Sequence, residues 1–147
     1  MSTLLDQHDL DRLITRIRRL NPDAPARWGR LTAPRMVTHL ADQLRQALGD
    51  IQVQTRRTPL RWPVIRSLVM YWMPWPKGRI KGSPEIFQTP PGVWNADITT
   101  LEGLLNRLVE DRRERWPDHP YFGAMTREDW GRFSYRHFDH HLRQFGV

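Results

Sequence analysis

Three of the six histidines stand within five positions, in "YRHFDHHLRQFG" at residues 135–146. His137 and His141 are four apart, so on a helix their imidazoles stack one turn above the other. That spacing can chelate a divalent ion through neutral imidazole nitrogens. It is also the spacing of histidines that edge a packed core and bond to backbone or water. The spacing alone leaves both readings open. On a helical wheel at about 100° per residue, Trp130, Phe133, Phe138, Leu142 and Phe145 share an apolar sector. Arg132, Arg136, Asp139 and Arg143 fall opposite. His137 and His141 flank Trp130 inside the apolar sector, whereas His140 lies toward the polar boundary and is excluded from the ligand set.

Two ligands make a poor site, so a third is needed. His8 belongs to the frayed start of the first helical stretch and His119 to the loop "WPDHPYFG". His39 is the better candidate, because it is mid-helix, beside Leu40 and one turn after Met36. Asp42 follows His39 by one turn and Gln144 follows His141 by one. Either could orient a ligand, as metal-bound histidines usually require, and either could equally face solvent.

Four helical stretches must position these residues. Leu10, Leu13, Ile14, Ile17 and Leu20 mark the first, which "NPDAP" stops. The second has Thr32 as N-cap, Pro34 in its first turn and Gly49 as its stop, with Met36, Leu40 and Leu44 as its apolar positions. In the third, Thr99 and Glu102 have the spacing of a capping box ahead of Leu104, Leu105 and Leu108. Thr126 and Asp129 mark the start of the fourth, which runs to Gly146. Roughly fifty residues separate the second and third stretches. They are rich in proline and tryptophan, and only residues 64–72 could form a short helix. A connection of this length in a compact domain points to function. The pattern predicts one all-α domain over 1–147, a four-helix bundle with a long Pro/Trp-rich crossover between helices 2 and 3.

Composition bounds the chemistry. The chain has no cysteine, hence no disulfide, thiolate ligand or nucleophilic thiol. Any metal must be held by nitrogen and oxygen. The longest mainly apolar stretch, residues 64–75, contains Arg66 and is too short to span a bilayer. With no signal-peptide pattern at its start, the chain reads as cytoplasmic. The net charge of +7 sits in one place: Arg56, Arg57, Arg61, Arg66, Lys77, Arg79 and Lys81 follow Asp50 with no acid before Glu85. No phosphate-binding glycine loop, dinucleotide fingerprint or Ser/His/Asp constellation is present.

"MVTHLADQLRQALG" and "YRHFDHHLRQFG" resemble the DinB/YfiT superfamily, and "NPDAPARWGRLTAPRMVTHL" with "WGRFSYRHFDHHLRQFGV" resembles its DUF1569 branch. The resemblance covers nearly the whole chain and implies a four-helix bundle with a long crossover. It also implies a metal held by one histidine of the second helix and a His-x-x-x-His pair of the last, which fall on His39, His137 and His141. Better-understood relatives use such a metal to activate a low-molecular-weight thiol, and members often form homodimers. A chain without cysteine suits that role, since the cosubstrate brings the sulfur.

These readings lead to one expectation and one alternative. The expectation is a metal-dependent thiol transferase or hydrolase acting on a small anionic or thiol-containing molecule. Zinc is the first choice of metal, with nickel, iron or manganese as alternatives, because imidazole discriminates poorly among them. The crossover would wall the pocket through Trp62, Tyr71, Trp72 and Trp75, with Arg79 on the substrate. The alternative is a non-enzymatic module that binds nucleic acid or an anionic surface through residues 56–81. The absence of a known nucleic-acid-binding motif weighs against the nucleic-acid form of it.

Overall fold

The computed structural model describes residues 1–77 and 82–147. The described residues form five α-helices and no strand. Helix α1 spans Gln7–Arg18, and the Asp6 carboxylate accepts from the backbone N–H of Asp9 at its start. Helix α2, Ala33–Leu48, opens on Thr32, whose hydroxyl accepts from the N–H of Arg35. It closes at Gly49, whose φ of 79° is a left-handed turn that a side chain would strain. Helix α5, Arg127–Gln144, begins with both bonds of the Thr126–Asp129 capping box.

Helix α4 spans Trp94–Glu110 and differs from the expected third helix. It starts upstream of Thr99, whose hydroxyl donates to the carbonyl of Asn95 inside the helix. Glu102 takes no part in capping and pairs in two bonds with Arg18 of α1. The start is set earlier because Pro90 and Pro91 break the chain and the Asp97 carboxylate accepts from the N–H of Gly92. Within the crossover, α3 (Pro63–Ser67) runs directly into one wider π-helical turn, Leu68–Trp72. Short 3₁₀ turns lie at Pro59–Arg61 and Pro84–Phe87.

The four long helices share one core. Leu13 and Ile17 of α1, Met36, Leu40 and Leu44 of α2, Leu101, Leu105 and Leu108 of α4, and Trp130, Phe138 and Leu142 of α5 are almost wholly buried. Helix α2 packs on both α4 and α5, and the returning crossover lies over its remaining side. For this reason it also buries polar residues: Thr38, His39, Asp42, Gln43 and Gln46. Among the described residues, no helix is long and apolar enough to cross a membrane.

Candidate metal centre

Helices α2 and α5 bring His39, His137 and His141 together, although the first lies far from the other two in sequence. Their Nε2 atoms stand 3.0 Å (His39–His137), 3.2 Å (His39–His141) and 3.1 Å (His137–His141) apart. All three side chains are buried. Packing fixes the rings: His39 stacks on Phe87 with centroids 4.3 Å apart, and His137 lies 5.9 Å from both Phe133 and Trp75.

The outer nitrogens of His39 and His141 settle the tautomers of those two rings. His39 Nδ1 faces the Ile86 carbonyl at 3.0 Å, and a carbonyl only accepts, so Nδ1 carries the proton. Gln144 donates its Nε2 to the Trp28 carbonyl at 2.6 Å, which leaves its Oε1 to accept from His141 Nδ1 at 2.8 Å. In neutral rings both Nε2 atoms therefore point bare lone pairs at each other. A proton on His137 Nε2 could bridge to one of them but could not neutralise the triangle. Protonating the rings is also opposed. Burial, partly offset by the Ile86 carbonyl, lowers the pKa of His39 to about 4. Burial and then the neighbouring His39 lower that of His141 to about 3. His137 is pushed well below its ordinary value by burial first and by the other two histidines next. The donor set is thus three neutral imidazoles with converging Nε2 atoms, two of them with lone pairs fixed inward. His137 Nδ1 is buried without a partner among the described residues and can hold the third ring's proton, so the set fits a divalent ion. Tetrahedral zinc at its usual distance from nitrogen separates its ligands by about 3.3–3.4 Å, close to the spacing found.

The trio forms the floor of a cavity of about 720 Å³. Trp28, Trp75 and Phe87 give it aromatic walls, while Arg30, Lys77 and His140 bring basic groups to its lining. Among the described residues no carboxylate lines it. The Lys77 ammonium sits 4.7 Å from the centre of the Trp28 ring, joining the crossover to the loop between α1 and α2.

The profile of the family described as "Protein of unknown function (DUF1569)" matches residues 2–146. The chain belongs to the DUF1569 family. No curated protein and no solved structure matches it.

In this DUF1569 chain several residues stand elsewhere than their sequence positions suggested. Asp42, expected to orient a histidine, is fully buried but bonds to Arg45 at 2.8 Å and to the N–H and hydroxyl of Thr89 at 2.8 and 2.6 Å. Its task is to hold the crossover's return. Trp62 and Trp72 are 66% and 73% exposed and do not line the cavity, and Tyr71 donates to Asp129 instead. Of the four expected wall aromatics, Trp75 alone lines it. Arg79 lies outside the described residues. His119 is a packing residue, boxed by Phe122, Trp130 and Phe133.

Sequence reasoning missed Trp28, Phe87 and Arg35. Arg35 donates to the carbonyls of Phe87 at 2.5 Å and Thr89 at 2.6 Å. Arg35, His39 and Asp42, spaced i, i+4, i+7, form a stripe on α2 that faces the returning crossover. That polar stripe on a helix with an otherwise apolar face was the available signal.

Proposed function

We propose that His39, His137 and His141 hold one divalent metal ion in a DinB-like four-helix bundle, with zinc the first choice. The observation that carries this reading is the convergence of lone pairs whose tautomers are set by Ile86 and Gln144. A bound divalent ion would make a thiol or a water beside it nucleophilic at neutral pH. The protein's own groups do the rest. Gln144 holds His141 in orientation, Trp28 and Trp75 exclude water and receive an apolar body, and Arg30 and Lys77 favour an anionic group. The reaction class is thiol transfer or hydrolysis on a small anionic substrate.

Cobalt separates these two chemistries. Protein loaded with Co(II) should show the intense visible bands of a low-coordinate nitrogen site. A small thiol such as glutathione or cysteine should then add a sulfur-to-cobalt charge-transfer band. Cobalt bands that no thiol alters would remove the transferase reading in favour of hydrolysis. No cobalt bands at all would remove the metal reading itself.

A further inference from the structure

Seven large hydrophobic side chains are exposed among the described residues, and five of them lie between residues 62 and 73. They are Trp62 (66%), Val64 (80%), Leu68 (47%), Trp72 (73%) and Met73 (45%). Val64, Leu68 and Trp72 recur every fourth position along the helical run Pro63–Trp72, so they share one outward face. Only Met70 of that run is buried, and it fixes the run against the core. A ridge of two indoles and three aliphatic side chains costs free energy in water unless something covers it.

The frame around the ridge is cationic. Arg61, before Trp62, is loosely paired with Asp118 at 3.8 Å, and Arg66 within the run is matched by Asp129. Among the described residues, the unmatched positive charge therefore comes from α5. From α5, Arg132 lies over the Tyr71 ring and Arg136 donates to the carbonyls of Val69, Met70 and Met73. The one carboxylate bonded into the run, Asp129, is already bound by Tyr71 and Arg66. A second copy of the chain would bring one cationic rim against another around the shared ridge, and like charges across an interface are unfavourable. Nucleic acid would meet the arginines but would bury Val64, Leu68 and Met73 against nothing apolar. An anionic bilayer surface satisfies both requirements, with acyl chains for the aliphatics, the headgroup boundary for the indoles and lipid phosphate for the arginines.

We infer that the ridge Trp62–Val64–Leu68–Trp72–Met73 docks the protein on an anionic lipid surface. This docking is separate from the metal site. The test is co-sedimentation of the full chain with vesicles of phosphatidylcholine alone or mixed with phosphatidylglycerol. Binding to the mixed vesicles should be at least about ten-fold tighter, should weaken with added salt, and should shift tryptophan emission to the blue. Replacing Trp72→Ser together with Leu68→Ser should weaken it by about ten-fold or more. Both side chains are solvent-exposed, so the thermal midpoint and the metal content should not change. Equal binding to neutral and mixed vesicles, or full binding by the double variant, would overturn the inference. So would a concentration-dependent dimer, or a complex with single-stranded oligonucleotide, that the same two substitutions abolish while vesicles are ignored.

Discussion

The chemistry of single residues rests on which imidazole nitrogen carries the proton. His39 and His141 differ from His140 in that each has an acceptor on its outer nitrogen and a lone pair on the inner one. His140 is half-buried and packs edge-on to Trp28 with centroids 5.6 Å apart, so it lines the cavity without entering the trio. Accordingly, His137→Ala or His141→Ala should abolish metal retention, whereas His140→Ala should retain a full complement by elemental analysis. Equal loss in all three would place the metal elsewhere on α5. Gln144→Leu removes the acceptor that orients His141 and also frees the Trp28 carbonyl. Competition with a chromogenic chelator should show metal affinity reduced by about 10- to 100-fold, the usual effect of losing a ligand's supporting hydrogen bond. Unchanged affinity would mean that packing alone orients the ring.

At the level of elements, the site depends on α2 and α5 meeting and on the crossover returning to cover them. Asp42 and Arg35 anchor that return on either side of His39, and Ile86 supplies its carbonyl from within it. Asp42→Ala would take from Arg45 its carboxylate and from the N–H of Thr89 its acceptor, at a cost of about 2–4 kcal/mol in urea unfolding. It should also weaken metal binding, because His39 loses a fixed Ile86 carbonyl; a variant with full stability and affinity would show the anchor to be dispensable. The helices carrying the trio were legible in the sequence because Thr32, Gly49 and the Thr126–Asp129 pair are side-chain signals at their ends. The crossover's return was not, since Arg35 grips backbone carbonyls, which any residue presents. Thr99 and Glu102 misled because their spacing matches a capping box, while the signal that starts α4 lies in Gly92 and Asp97. Nor could composition say which way each crossover tryptophan points. The proline-broken segment has too short a period to assign faces, and Trp72 turns out as Trp75 turns in.

For the whole molecule, burying uncharged histidine makes stability depend on pH. His119 is outside the trio, separated from His137 by the Phe133 ring that both pack against, and its Nδ1 accepts from the N–H groups of Tyr121 and Phe122 at 3.2 and 3.3 Å. Burial lowers its pKa to about 3, from 6.5. The unfolded chain therefore takes up a proton near pH 6.5 that the folded protein refuses. The contribution of this residue is complete above that pH and falls as pH drops toward 3, by about 1.4 kcal/mol per unit. His119→Leu should be less stable at neutral pH yet lose less stability on acidification, in urea unfolding of metal-free protein near pH 7.5 and pH 5. Parallel pH dependence in the two proteins would show that His119 carries no such linkage. Whether the trio holds a metal is answered most directly by elemental analysis of protein purified without an affinity tag. About one divalent ion per chain is expected, absent from His39→Ala and His137→Ala variants that remain folded. Metal-free wild-type protein that takes up no ion on reconstitution, or variants that keep the wild-type amount, would contradict the metal site.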